Sequence, residues 1–337
     1  VKARTKAILK TMTLKRGWNY FLLKSSFSLS NLVKKPIHWG KPMAVSIEPT
    51  TTCNLKCPQC PSGLRNFTRP TGSISLDENK LILNQLGAQL GYVNYYFQGE
   101  PFIHPEFLSL VKEARNRNIY VVTSTNAHFI TPEKATEIVA SGLSELIISI
   151  DGLDQEAYET YRINGKLEKV ISGTKNIIEA KKQAAKSQLW VVFQFLVTSA
   201  NEHQIEALYE LANNLGVDEV RLKTIQIYDV EHENDLLPTN LNYSRYRKNK
   251  NGDFELKNKF KNKCWRMWSS VVFTWDGKVV PCCFDKDAEF QMGSVKQTDF
   301  DTIWKSAIYK DFRKKLQEHR QGISICTNCS EGSKVWV

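Results

Sequence analysis

Eight cysteines fall in two groups, with more than 200 residues between them that contain none. The first group is Cys53-Asn54-Leu55-Lys56-Cys57-Pro58-Gln59-Cys60. Three thiolates in eight residues cannot close a tetrahedral structural zinc site, which takes four ligands, unless a distant His completes a zinc knuckle. They can hold three irons of a [4Fe–4S] cluster and leave the fourth iron open for another molecule. The second group offers Cys264, Cys282, Cys326 and Cys329, the last two as a CxxC pair. Four thiolates can enclose a zinc or saturate a cluster. Cys283 is left over. Successive strand residues point to opposite faces, and the spacing from Gly277 favours Cys282, so Cys283 is expected to turn away from the ligand side. There it is a small buried hydrophobe or a thiol facing the substrate cavity. Closely spaced thiols in a chain without secretion features point to metal rather than to a disulfide framework.

The elements that must position these groups are legible as alternating strands and helices. Strands are expected at Ala44–Glu48, Tyr92–Phe97, Ile119–Thr123, Glu145–Ile150, Leu189–Val197 and Glu219–Ile225. Helices are expected at Asp77–Leu90, Pro105–Arg117, Pro132–Ser141, Lys169–Lys186 and Glu202–Leu215. This alternation implies a parallel sheet with right-handed crossovers, and six units suit a partial (β/α)6 TIM-like barrel of the α/β class. Functional groups of such a barrel gather where strands end. Gln98-Gly99-Glu100-Pro101, Ser124-Thr125-Asn126 and Ser149-Ile150-Asp151-Gly152 all follow strands, as the first cysteine loop does. A carboxylate such as Glu100 suits a cationic amine, and Asn or Ser suits ribose hydroxyls. Gly99 and Asp151-Gly152 also read as plain strand-end turns. His104 and His128 are expected to be structural hydrogen-bonders.

The three-cysteine spacing after the first strand of a partial barrel resembles the radical SAM superfamily. The resemblance implies that Cys53, Cys57 and Cys60 hold a [4Fe–4S] cluster whose open iron binds S-adenosylmethionine. It places Gln98, Gly99 and Glu100 at the methionyl amine, Ser149 and Arg162 at the methionyl carboxylate, and Thr125 and Asn126 at the ribose. Gln59 stands where the family often has an aromatic residue near the adenine. The second group resembles the auxiliary-cluster module of SPASM and twitch proteins. A full SPASM module has seven cysteines, so the resemblance implies a shorter, twitch-like module with one further [4Fe–4S] cluster on Cys264, Cys282, Cys326 and Cys329. The candidate catalytic residues are Asp151 and, as a hydrogen donor in an epimerase, Cys283.

The rest of the chain sets boundaries. Residues 1–42 form a basic leader, 43–227 the barrel, 228–263 a polar connector and 264–337 the auxiliary-cluster domain. That last domain is expected to contain a hairpin around Asp276-Gly277 and one amphipathic helix, Phe300–Gln317. Ten of the 46 Lys and Arg lie in residues 1–47, which hold none of the 35 Asp and Glu, so the remainder is near neutral at 36 against 35. The leader interleaves Ile8, Leu9, Met12, Trp18, Tyr20, Phe21, Leu22 and Leu23 with these cations. It reads as an arm packed outside the barrel, as a helix lying on an anionic membrane, or as a dock for an acidic electron donor or lead peptide. The near-neutral body and the lack of a recognisable module argue against nucleic acid. No apolar run reaches the length of a membrane span, and no secretory signal stands at the start, so a cytoplasmic protein is expected, with the leader able to touch the inner membrane surface.

The function these features imply is a radical SAM oxidoreductase that cleaves S-adenosylmethionine to a 5′-deoxyadenosyl radical and takes a hydrogen atom from its substrate. A flavodoxin- or ferredoxin-type donor supplies low-potential electrons. Without an appended peptide-recognition domain, a small sugar-like or envelope-related metabolite is the expected substrate. Its rivals are a peptide-modifying maturase and, from another class, a non-catalytic zinc-binding scaffold.

Overall fold

The computed structural model describes residues 2–184, 187–227, 234–250, 252, 254–257 and 261–329. Along the chain run α1 (Lys2–Leu9), α2 (Leu14–Val33), β1 (Ala44–Ile47), α3 (Pro61–Leu64), α4 (Leu76–Leu86), β2 (Tyr92–Asn94), α5 (Phe107–Arg115) and β3 (Tyr120–Thr125). Then come α6 (Pro132–Ala140), β4 (Glu145–Ser149), α7 (Gln155–Tyr161), α8 (Leu167–Gln183), β5 (Trp190–Val197), α9 (Ile205–Leu215) and β6 (Glu219–Thr224). The remainder holds β7 (Tyr246–Lys248), β8 (Phe254–Leu256), α10 (Arg266–Ser269), β9 (Ser270–Phe273), β10 (Lys278–Val280), β11 (Gly293–Ser294), α11 (Phe300–Lys305) and α12 (Ala307–His319). All six expected barrel strands and all five expected helices are present within a few residues of their sequence positions. The class is α/β with a mostly parallel sheet.

Two compact units divide the chain, and they do not follow chain order. The first gathers the described residues up to Thr52, Phe67–Thr123 and those from 261 to Cys329. Its strand order is β11-β10-β9-β1-β2-β3. β1, β2 and β3 pair in parallel, Val45 beside Val93 and Val93 beside Val121. β9 joins the other edge of β1, also in parallel, with Val271 beside Val45. The hairpin expected around Asp276-Gly277 is β9–β10, with Val279 opposite Phe273. It therefore continues the sheet begun by β1. The second unit holds β4, β5 and β6 in parallel, together with a β7–β8 hairpin. β4 is buried along its whole length, as both faces of a helix-covered sheet should be.

Two elements differ from the sequence expectation. Phe300–Gln317 is two helices, because Ser306 is extended (φ −60°, ψ 160°) and caps the second helix by accepting from Tyr309 N at 3.2 Å. The break rotates the following turn, so that Tyr309 is buried and Ile308 is exposed. The connector holds the β7–β8 hairpin where no regular structure is expected. Tyr246 anchors it, its side chain buried and its hydroxyl bonded to Ile227 N at 3.0 Å. The basic leader forms α1 and α2. Residues 228–233 and 330–337 lie outside the described residues, as do 251, 253 and 258–260.

Candidate active site and cluster-binding cysteines

The first cysteine loop belongs to the second unit and is fixed by its own backbone. Cys60 N donates to Cys57 O at 3.3 Å, Leu64 N to Cys60 O at 2.9 Å, and Lys56 N to Ile163 O at 3.0 Å. Gly63 lets α3 fold against the loop, since a Cβ there would lie 2.6 Å from Cys57 N and 2.7 Å from Cys57 O. Cys57, Leu55, Tyr161, Ile225 and Ile227 share one apolar cluster, and Cys53 and Cys60 pack against it. All three thiols thus sit on one apolar floor. Burial pushes the Cys57 thiol up, and the neighbouring Arg162 opposes that shift. Arg162 Nη1 approaches Cys57 Sγ at 3.8 Å. A cation beside one thiol of the loop is the electrostatic complement that a thiolate-ligated cluster asks for.

Arg162 follows α7 and is held by Asp151. Its Nε donates to Asp151 Oδ2 at 2.5 Å. Asp151 Oδ1 accepts from Leu196 N at 2.6 Å, and Asn201 Nδ2 donates to the Asp151 carbonyl at 2.9 Å. Asp151 is 1% exposed. Both carboxylate oxygens thus have protein donors, and the residue ties the end of β4 to β5 and to Arg162. Ser149, the last residue of β4, is also buried.

Thr125 and Asn126 stand at the end of β3. Thr125 Oγ1 accepts from Ala127 N at 2.9 Å, and Asn126 Nδ2 donates to Asn54 Oδ1 at 2.8 Å. The second bond links this strand end to the cysteine loop. His128 donates from Nδ1 to Asn126 O and accepts at Nε2 from Lys166 N, each at 2.8 Å. His104 donates from Nε2 to Ile74 O at 2.6 Å and accepts at Nδ1 from Glu106 N at 3.1 Å. Both rings are structural hydrogen-bonders, as expected.

Gln98, Gly99 and Glu100 belong to the first unit. Gly99 has φ +72°, and a Cβ there would stand 2.2 Å from Thr50 O, so both the turn and the close approach require glycine. Glu100 N donates to Thr52 O at 2.8 Å, one residue ahead of Cys53 in the chain. Glu100 Oε1 accepts from Phe102 N at 3.2 Å. Gln98 and Glu100 are both buried.

The second cysteine group lies wholly in the first unit, around Arg320. Arg320 Nη2 donates to Cys329 Sγ at 3.4 Å. Burial opposes its charge, yet Cys264, Cys329 and Cys326 hold the guanidinium above its ordinary pKa. Cys282 neighbours Cys264, so the four expected ligands share one neighbourhood. Cys282 and Cys283 lie beyond β10 in a turn, where Asp285 N donates to Cys282 O at 3.0 Å. Strand alternation does not apply there. The two thiols are within hydrogen-bonding reach of each other, and this contact, ahead of burial, raises the Cys282 pKa. Arg266 Nη1 donates to Cys283 Sγ at 3.3 Å. Among the described residues no three His, Cys, Asp or Glu side chains converge on a single ion position. A [4Fe–4S] cluster takes one thiolate per iron, so its ligands need not converge in that way. The donor sets fit such clusters, three soft sulfurs in one place and four in the other.

Arg320, Arg266, Asn54 and Tyr161 were not legible as site residues. Each reaches its cysteine or partner only through tertiary folding, and a lone Arg or Asn carries no spacing signal. Asn54 alone had a cue, its place inside the cysteine loop.

The family model described as the radical SAM superfamily matches residues 47–212, and the iron–sulfur cluster-binding SPASM domain matches residues 264–330. The tungsten-containing aldehyde ferredoxin oxidoreductase cofactor-modifying protein of Pyrococcus furiosus is 24% identical over 311 residues, covering 84% of this chain and 86% of that one. The PqqA peptide cyclase of Bradyrhizobium diazoefficiens is 26% identical over 208 residues, 60% of this chain. The match spans 52% of that relative's length. The crystal structure of Streptococcus suis SuiB bound to precursor peptide SuiA shares the fold at a TM-score of 0.61 and 15% identity, covering 88% of this chain and 72% of that chain. The chain belongs to the radical SAM superfamily, enzymes that bind S-adenosylmethionine and a [4Fe–4S] cluster, and it carries a SPASM domain for additional iron–sulfur binding.

Proposed function

We propose that this enzyme abstracts a hydrogen atom from a peptide substrate and completes a two-electron oxidation of it. The observation that carries the reading is the gathering of Cys264, Cys326 and Cys329 around Arg320, with Cys282 beside Cys264. Four thiolates saturate a cluster and leave no iron for substrate, which suits electron relay rather than substrate binding. When bound, the first cluster supplies the electron that cleaves S-adenosylmethionine to methionine and a 5′-deoxyadenosyl radical, and the second an acceptor for an electron. Cys53, Cys57 and Cys60 are the proposed ligands of the first, and a flavodoxin- or ferredoxin-type protein is the proposed donor.

The residues at the strand ends hold the cosubstrate in this reading. Gln98, Gly99 and Glu100 receive the methionyl amine, Ser149 and Arg162 the carboxylate, and Thr125 and Asn126 the ribose. Asp151 acts through Arg162, since both its carboxylate oxygens already have protein donors. The peptide class is supported by a relative whose name states such a substrate. A sugar-like metabolite loses its main support, because that reading leaned on the absence of an appended domain, and the ends of this sequence carry no such information. Mass spectrometry of anaerobic turnovers with candidate peptides tests the proposal. A product lighter by two hydrogens supports it, and an unchanged mass contradicts it.

A second reading, epimerisation, is favoured by one observation. Cys283 carries a thiol outside the four-ligand set, with Arg266 at 3.3 Å. An epimerase needs a hydrogen donor, and the weak S–H bond of Cys283 can serve. Cys283→Ala then keeps cluster loading and cosubstrate cleavage but loses solvent deuterium from the product. Normal turnover by that variant removes the reading.

A further inference from the structure

Helix α2 is mounted with its polar face inward. Arg16, Asn19, Leu23, Ser26 and Ser30 form the buried side, which contains one aliphatic residue. Hydrogen bonds hold that side to the first unit. Asn19 exchanges two bonds with the Lys41 backbone, each 2.8 Å, and Arg16 Nη1 donates to Asn118 O at 2.7 Å. Gln317 Nε2 donates to Ser30 Oγ at 2.8 Å. Phe27 adds edge contacts to Trp265 and Trp268, with ring centroids 5.3 and 5.4 Å apart.

The opposite face is open and carries exposed apolar side chains toward both ends, with Ser25 and Ser28 between them. Positions 14, 18, 21 and 32 fall on one side of a 3.6-residue helix. Leu14 is 95% exposed, Leu32 80%, Trp18 64% and Phe21 55%. Trp18 and Phe21 stack with centroids 5.3 Å apart. Leu14 and Leu32 stand about 27 Å apart along the axis. An ordinary surface helix turns its apolar stripe toward the core, and this one turns it away. Exposed Lys10, Lys15, Lys34 and Lys35 lie at its two ends, and no acidic residue occurs in positions 1–47.

We infer that the outward face of α2 docks on an anionic lipid surface. A ridge of exposed Leu, Trp and Phe side chains with flanking lysines has the form of an interfacial helix, the ridge entering the acyl boundary and the lysines meeting lipid phosphates. A second copy of this chain brings the same positive segment and is repelled. An acidic protein satisfies the lysines but needs a groove to cover the ridge. Among the described residues no helix is long and apolar enough to cross a membrane, so the contact lies in the membrane plane.

The test is flotation of the full-length, cluster-reconstituted chain with phosphatidylcholine vesicles, with and without phosphatidylglycerol. The inference requires flotation with phosphatidylglycerol vesicles, weakened by salt, and little with phosphatidylcholine alone. Replacing Trp18→Ser, Phe21→Ser and Leu32→Ser together lowers partitioning on the order of 100-fold. Circular dichroism and iron content stay unchanged, because these side chains are more than half exposed and none belongs to the buried core. Lys15→Glu with Lys34→Glu weakens flotation independently of the ridge. Equal flotation of wild type and triple variant, no flotation with either vesicle, or a dimer that the substitutions dissolve would each overturn the inference.

Discussion

Arg162 Nε donates to Asp151 Oδ2 at 2.5 Å, and the same guanidinium reaches Cys57 Sγ at 3.8 Å through Nη1. One arginine therefore answers both to the end of β4 and to the first cysteine loop. The pair is why Asp151 is read as a positioning residue.

Asp151→Asn tests that reading. An Asn that still accepts from Leu196 N turns its NH2 toward Arg162 Nε–H, donor against donor. Breaking this buried pair costs about 3 kcal/mol. The expected variant has a lower melting temperature and weaker S-adenosylmethionine binding by calorimetry, with iron content retained. Unaltered binding would place Asp151 elsewhere in the mechanism.

Arg320→Gln tests the second site. Removing a positive charge beside Cys264, Cys326 and Cys329 lowers the reduction potential of a cluster bound there. Arg320→Lys restores part of the shift. Protein-film voltammetry of the three forms reads it, and identical potentials contradict the placement.

His38 sets a pH limit on stability. Burial, then the nearby Arg313, lower its pKa from 6.5 to about 3, against the hydrogen bond to Trp268 O. The unfolded chain therefore binds a proton that the folded chain refuses, and stability rises with pH across this window. The contribution is present above pH 6.5 and is lost as pH falls toward 3, a few kcal/mol in all. His38→Gln should flatten that part of the curve in urea titrations at stepped pH.

Gly99→Ala forces a Cβ to within 2.2 Å of Thr50 O at φ +72°. The strain is at least about 1–2 kcal/mol before any clash is relieved. Reduced stability together with lost S-adenosylmethionine affinity is expected, and near-wild-type values for both would free this turn from the cosubstrate site.

Local pattern made most of this molecule legible. The strand–helix alternation and both cysteine spacings depend on residues near one another in sequence, and they located the strands and the thiols. What failed depends on tertiary context. A single extended Ser306 splits a helix whose periodicity runs through it. Cys283 looked like a strand residue because the turn after β10 carries no glycine or proline past Pro281 to mark it. The inverted mounting of α2 could not be read, since the sequence gives two faces but not which one the fold covers. Arg320 announces itself only once three cysteines surround it.

The central claim is tested most directly by quantifying 5′-deoxyadenosine from anaerobically reconstituted enzyme, S-adenosylmethionine and a low-potential reductant. The account predicts cleavage by the wild type and none by the Cys53→Ala, Cys57→Ala, Cys60→Ala variant, which still carries iron at its second cysteine group. A wild type with both clusters loaded that yields no 5′-deoxyadenosine would contradict it.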